Sequence, residues 1–233
     1  MPNWKHHDIR IAYVIPAFNE GDVIASVIEG LRRDGPPGDV VLIDDSSNDS
    51  TSAAARAAGA IVLRHPINRG QGAALQTGFD AALRLGAEVI VTFDADGQHN
   101  PADLFHFIET LLTSNVDVVL GSRFVEGSAD IPAARRVLLR AALLFTRLTS
   151  RVNITDTHNG LRAFRADALR RIRLTEDRMA HASELLDLIA SAKLRYVEVP
   201  CHIRYTDYSM GKGQRWSAAP RIAFDFLLGK MMR

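Results

Sequence analysis

The sequence predicts an α/β fold, a mostly parallel central sheet flanked by helices, and three observations carry that prediction. Short apolar runs alternate with helical patterns through the first two thirds of the 233 residues. Several of those runs are continuously apolar, as in strands buried on both faces. Acidic and small polar residues follow the runs directly, at the strand ends where ligands collect in such sheets.

Residues 9–15 are β-branched and stop at Pro16, which gives the first strand. Residues 20–33 place Val23, Val27, Ile28 and Leu31 at helical spacing and end at Gly35-Pro36-Pro37-Gly38. Residues 40–43 form the second strand, and a helix follows from Ser50. The pattern repeats as strand 60–63, helix 72–85, strand 88–93, helix 101–112 and strand 116–120. From about Glu126 the character changes. Residues 131–155 contain no Asp or Glu but carry Arg135, Arg136, Arg140, Arg147 and Arg151. The last four of these arginines fall within roughly 60° on a helical projection, beside a face of Leu138, Ala141, Leu144, Phe145, Leu148 and Val152. Such a helix suits an anionic bilayer surface, although composition alone favours a core-packed helix with a solvated basic edge. Residues 220–233 read as a second C-terminal amphipathic helix with Pro220 at its start.

Composition excludes several function classes. Hydrophobic residues make up 47% and charged residues 24%, so disordered, collagenous and fibrous classes are out. The net charge of +1 offers no basic field for nucleic acid. Cys201 is the single cysteine, which excludes an intrachain disulfide scaffold and fits a reducing compartment. The first residues lack the apolar core of a signal peptide, and no apolar stretch reaches the roughly 18–20 residues that span a bilayer.

The chemistry concentrates after the strands. Asp94 and Asp96 follow the fourth strand one residue apart, so both side chains point the same way on extended backbone. With Gln98 they offer only oxygen ligands, which suits Mg²⁺ or Mn²⁺ rather than Zn²⁺. Asp44 and Asp45 follow the second strand, where a carboxylate can accept from a ribose or a base edge; helix capping by this loop is the plainer alternative. Gly70 and Gly72 open a helix beside Arg69, where close backbone approach and free amides attract phosphate.

Together these stretches resemble the family 2 glycosyltransferases with the GT-A fold, and within them the dolichol-phosphate mannose synthase or polyprenyl-phosphate sugar transferase type. The matching segments are residues 14–20, 43–51, 68–78, 94–99, 121–127 and 156–162, in order and at family-like spacing within residues 9–216. The resemblance implies one Rossmann-like domain over residues 1–233, with a nucleotide-sugar and metal half at about 9–125 and an acceptor half at about 126–233. It implies a metal-dependent, inverting transfer of one sugar from a UDP- or GDP-linked donor to a polyprenyl phosphate. Pro16, Phe18, Glu20 and Asp45 would line the nucleotide, with Asp44 close by. Asp94, Asp96 and Gln98 would hold the metal and the donor diphosphate. Arg123, Arg162 and Arg204 would handle phosphate charge, and Ser209 and Lys212 loosely match a family loop. Gln71 stands where many members carry lysine, a departure that bears on one diphosphate contact.

The acceptor decides whether a base is needed. A sugar hydroxyl needs a positioned carboxylate, typically worth about 10²–10⁴ in rate, whereas a lipid phosphate is already anionic. Arg135, Arg136, Arg162, Arg204 and Lys212 outnumber Asp130, Asp156 and Glu184 in the acceptor half, which favours the phosphate. Asp156 is a further catalytic candidate, and Glu184 would be the base for a saccharide hydroxyl acceptor, unless it is only a first-turn helix carboxylate. A non-catalytic nucleotide-sugar-binding subunit is the remaining alternative. Peripheral attachment at the cytoplasmic face of the membrane, directly or through a small membrane protein, is expected. The other histidines read as structural or surface, and His99 and His158 lie inside motifs without an assigned role.

Overall fold

The computed structural model describes residues 9–125, 152, 154–157, 159–178 and 180–204. In chain order the elements are β1 (Ile11–Ala17), α1 (Ile24–Asp34), β2 (Asp39–Asp44), α2 (Thr51–Ala57), β3 (Ile61–Arg64), α3 (Gln71–Arg84), β4 (Val89–Thr92), α4 (Asp103–Thr113) and β5 (Val118–Ser122). They continue with β6 (Arg162–Arg165), α5 (Ala166–Leu169), α6 (His181–Ser191) and β7 (Tyr196–Pro200). The described strands form one seven-stranded sheet in the order β3-β2-β1-β4-β6-β5-β7. All pairings are parallel except those of β6, which runs antiparallel to both β4 and β5.

The five strands and four helices expected within residues 9–120 are all present, with ends shifted by a few residues. Helix α1 starts at Ile24 rather than Glu20, because the preceding amides serve the neighbouring loop. Glu20 N–H donates to Thr51 Oγ1 at 2.8 Å and Gly21 N–H to Asp49 Oδ2 at 2.9 Å. β6, β7 and α5 were not anticipated. β6 is four residues long with Arg at both ends, too short and too polar at its edges to announce a buried strand.

Strand alternation sorts the core into two layers. Ile11, Tyr13, Ile15 and Ala17 of β1 pack with Ile28 and Leu31 of α1, Ala55 of α2 and Phe107 and Leu111 of α4. Ala12 and Val14 face the other way, onto Leu75 and Phe79 of α3 and Leu185 and Ile189 of α6. Phe79 also meets Phe164 of β6 edge-on, with ring centroids 5.7 Å apart. Truncating Phe107 or Phe164 to alanine would cost about 3–5 kcal/mol through the cavity left behind. No helix among the described residues is long and apolar enough to cross a membrane.

Candidate active site

The parallel strands end along one edge, and the reversed β6 begins there. Arg162, the first residue of β6, is the register partner of both Thr92 at the end of β4 and Leu120 in β5. A side chain from late in the chain is thus set between two early strand ends. Continuing past β4, Phe93 and Ala95 fall into the α1/α4 layer, while Asp94 lies on the other side by Gly160, Arg162 and His181. The chain then turns at residues 95–96, and Asp96 comes close to Asp94 and Glu20 through that turn rather than through strand alternation.

Asp94 is tightly surrounded. Its Oδ2 accepts from His99 Nε2 at 2.9 Å. Gly160 packs against the carboxylate so closely that a β-carbon there would overlap both oxygens. Thr92 Oγ1 holds Gly160 in place by donating to its carbonyl at 2.6 Å. Burial alone would raise the Asp94 pKa; the His99 hydrogen bond and the charges of His99 and Arg162 outweigh it and hold the group below the usual carboxylate range. Asp96 moves the opposite way. Burial and the charge of Asp94 push its pKa up, Glu20 adds to this, and the Gln98 amide, donating to Asp96 Oδ1 at 3.0 Å, opposes it. The charge of Asp94 raises the cost of ionising Asp96, and a hard divalent cation shared by the two would relieve that cost. Asp94, Asp96 and Gln98 therefore fit Mg²⁺ or Mn²⁺. Among the described residues no three His, Cys, Asp or Glu side chains form a cage, so such an ion would complete its shell from substrate and water.

The arginines behave differently from one another. Arg123 is committed: its Nε and Nη2 donate to the two oxygens of Asp156, each at 2.7 Å, and its backbone amide donates to Asp156 Oδ2 at 3.1 Å. Glu198 of β7 fixes that loop, accepting from Thr155 N at 2.8 Å and Asp156 N at 3.2 Å. Arg162 is 4% exposed, yet among the described residues its guanidinium has no hydrogen-bond or ion-pair partner. Burial lowers its pKa, offset by the charges of Asp94 and Asp156 nearby. Arg204 is exposed; its amide donates to Gln98 O at 2.8 Å, and its charge helps hold Asp34 at the end of α1 ionised.

Two sets of residues singled out in the sequence have internal partners. The Asp44-Asp45 doublet is taken up internally. Asp44 is fully buried, accepting from Ser47 N at 2.7 Å and from Ser52 Oγ of α2. Asp45, on the opposite side of the strand end, accepts from His65 Nδ1 at 2.7 Å, Arg69 N at 3.0 Å and Gly70 N at 2.6 Å. Each carboxylate buckles a loop on its own side of the sheet, which explains a doublet without a ribose. Nor do Gly70 and Gly72 form a bare phosphate cradle. The Arg69 and Gly70 amides go to Asp45, and Ala73 N–H donates to Asp177 O at 3.1 Å. Both glycines are needed because the backbone of Glu176 and Asp177 lies where their β-carbons would stand.

Glu184 also holds that covering loop, accepting from Thr175 N at 3.1 Å, Thr175 Oγ1 at 2.6 Å and Glu176 N at 2.8 Å, and is 2% exposed. This is the arrangement of a structural buckle rather than of a proton acceptor. Pro16 is the penultimate residue of β1, in register with Ile43 of β2, and Phe18 and Glu20 lie on the β1–α1 connection, with Phe18 44% exposed. Ser209 and Lys212, the basic segment with Arg135, Arg136, Arg140, Arg147 and Arg151, and the helix expected at 220–233 lie outside the described residues.

Sequence reasoning missed two histidines. His99 grips Asp94, as above. His181, at the start of α6, is 3% exposed and donates from Nδ1 to Arg178 O at 2.7 Å. Burial and the neighbouring Arg162 push its pKa down to about 4, so it is a neutral ring beside the Arg162 cation. The only signal for His99 was its place in the Asp94–His99 motif, and none pointed to His181.

Residues 13–173 match the family model described as glycosyl transferase family 2. The chain is 31% identical, over 96% of its length and 97% of the relative's, to the UDP-N-acetylglucosamine–dolichyl-phosphate N-acetylglucosaminyltransferase of Methanococcus voltae. It is 33% identical to the undecaprenyl-phosphate mannosyltransferase of Micrococcus luteus, with 88% of this chain and 87% of that protein covered. In fold it is similar to the glucosyl-3-phosphoglycerate synthase of Mycobacterium tuberculosis, crystallised with Mn²⁺, UDP and glucosyl-3-phosphoglycerate. That likeness has a TM-score of 0.69 at 21% identity and covers 94% of this chain and 78% of that one.

Proposed function

This chain belongs to glycosyl transferase family 2 and is a glycosyltransferase, and from that premise we propose that it moves one sugar, with inversion, from a nucleoside diphosphate donor to a polyprenyl phosphate. Two relatives whose names specify dolichyl or undecaprenyl phosphate acceptors, aligned over most of both chains, support this acceptor class. The observation that carries it is the Arg162 guanidinium, buried at the sheet edge with no partner among the described residues. Asp94 and Asp156 lie near enough to offset part of its charge, but a buried guanidinium with no hydrogen-bond acceptor among the described residues is costly, and an anionic phosphate in the site would relieve that cost.

In this reading Asp94, Asp96 and Gln98 would hold Mg²⁺ or Mn²⁺, an ion that would supply charge neutralisation for a departing diphosphate. Phe18 offers an exposed ring face to the base of a UDP- or GDP-linked donor, and Pro16 and Glu20 flank it. Arg162 stabilises the phosphate anion in a site poor in water, usually the largest catalytic contribution. Arg123, clamped on Asp156, sets the wall from which Arg162 works. His181 stays neutral, so it adds no positive charge beside Arg162 and donates only to Arg178 O. The acceptor phosphate is already deprotonated and attacks without a base. This agrees with the engagement of Glu184 in holding the loop at Thr175 and Glu176. A saccharide hydroxyl acceptor would need a base that this geometry does not offer at Glu184.

Residues 9–125 form the donor half of one catalytic domain and residues 126–233 the acceptor half, whose basic and amphipathic segments would hold the enzyme on the inner face of the membrane. Purified protein with radiolabelled UDP- and GDP-sugars, Mn²⁺ and either undecaprenyl phosphate or an oligosaccharide tests the reading. Label entering the lipid phosphate is the expected result; label entering only the oligosaccharide overturns it.

A further inference from the structure

One buried polar atom among the described side chains has no hydrogen-bond partner: Nδ1 of His99. The ring is 5% exposed and packs against Phe93, with centroids 5.3 Å apart. Its other nitrogen, Nε2, lies 2.9 Å from Asp94 Oδ2. A carboxylate only accepts, so Nε2 carries the proton. Nδ1 meets no described partner, so Nε2 is the ring atom through which this histidine acts. No hydrogen bond from a described residue reaches Asp94 Oδ1, which remains that carboxylate's free oxygen.

The backbone on both sides of this histidine is pinned as well. His99 pairs with Ile203 in an antiparallel bridge, and Arg204 N–H donates to Gln98 O at 2.8 Å. One residue earlier, His202 N–H donates to Asp103 Oδ2 at 2.7 Å, at the start of α4. The histidine therefore stands on a fixed base, and its single donor is aimed at one oxygen of the acidic pair.

We propose that His99 is the positioning residue of the cation site. By holding Asp94 Oδ2 it fixes the orientation of the carboxylate and reserves Oδ1 for a divalent cation. The inference rests on the reading of Asp94 and Asp96 as cation ligands and adds the partner that orients one of them. Groups that orient a metal ligand from behind are typically worth 10- to 100-fold in metal affinity.

The test is Mn²⁺ binding to the substrate-free protein, followed by electron paramagnetic resonance, in wild type, His99→Gln, His99→Asn and His99→Phe, with thermal melts confirming that each folds. Glutamine reaches the Nε2 position and can still donate to Asp94; asparagine is too short; phenylalanine keeps the ring packing on Phe93 and removes the donor. The expected result is Mn²⁺ affinity within about threefold of wild type for His99→Gln, with a loss of tenfold or more for His99→Asn and His99→Phe. Wild-type affinity in His99→Phe overturns the proposal, as does His99→Gln binding as weakly as His99→Phe, which would mean that ring shape and not the hydrogen bond matters. If His99→Phe fails to fold, the contrast between Gln and Asn decides in the same way. Nitrogen-15 NMR of the ring gives an independent readout: a proton on Nε2 is expected, and a bare Nε2 overturns the role. Wild type that binds no Mn²⁺ sinks the cation site itself, and this role with it.

Discussion

The Asp94 carboxylate occupies the space that a β-carbon on residue 160 would need, so Gly160 can approach it where an alanine could not. Gly160→Ala should displace Asp94 from its hydrogen bond to His99 without touching the hydrophobic core. The expected outcome is a loss of tenfold or more in Mn²⁺ affinity and in kcat/KM, with a melting temperature close to wild type. Titration calorimetry with Mn²⁺ and a melt on the same sample check it; unchanged affinity would show that the loop gives way instead.

Arg162 makes a sharper prediction because its effects on stability and activity separate. Arg162→Met keeps the length of the side chain and removes a buried guanidinium with no hydrogen-bond partner among the described residues. The protein should melt close to wild type, the relief of a desolvated charge being offset by the loss of a cation near Asp94 and Asp156. Transfer activity should fall by at least about 100-fold, since oriented charges of this kind are worth that much in a transition state. Lower stability together with retained activity would remove Arg162 from the site.

His181 ties folding to pH. Its pKa in the folded protein is about 4, below the unfolded value of about 6.5, because burial and the adjacent Arg162 disfavour the charged ring. Between those two values the unfolded chain binds the extra proton, so stability rises as pH rises from 4 to 6.5 and is flat above. The groups bearing on the ring are Arg162, Asp94, Glu184 and the carbonyl of Arg178. The effect amounts to at most about 3 kcal/mol over the window. Urea denaturation of wild type and His181→Gln at pH 4.5 and 7 should show that slope reduced in the variant. An identical pH dependence in the two proteins would refute the assignment.

Asp45→Ala distinguishes a loop buckle from a nucleotide contact. It strands the amides of Arg69 and Gly70 and the His65 ring, three donors that now share one carboxylate. The expected cost is about 2–4 kcal/mol of stability, read as a lower urea midpoint. Full stability with weakened donor binding would restore Asp45 to the nucleotide.

Strand positions were legible because they follow from apolar runs of a few neighbouring residues; Asp94 and Asp96 do lie close, but through a turn at residues 95–96 and not through the extended backbone their spacing suggested. Arg162 was legible only through its motif; its setting between β4 and β5 depends on β6 running backwards, which nothing local in Arg-Ala-Phe-Arg specifies. The internal partners of the Asp44-Asp45 doublet were hidden for a related reason. The partners of Asp45 are 20 to 25 residues away, so the sequence displayed two carboxylates and concealed the donors waiting for one of them. Gly70 and Gly72 were flagged correctly as sites of close approach, but what approaches is a loop from residues 176–177 and not a phosphate. The two histidines beside Asp94 and Arg162 were invisible because their significance is a matter of distance alone.

The place of β6 also dictates an order of assembly on the ribosome. Strands β3, β2, β1 and β4 are mutual neighbours, and all four have been synthesised by residue 92. β5 is made next but cannot dock on β4, because the slot between them belongs to a segment that emerges only at residues 162–165. The nascent chain therefore carries Val118-Val119-Leu120 unpaired for about forty residues of translation, a natural target for a chaperone. Arg162 arrives with the strand that closes the gap, so no truncated product can assemble the anion-facing edge.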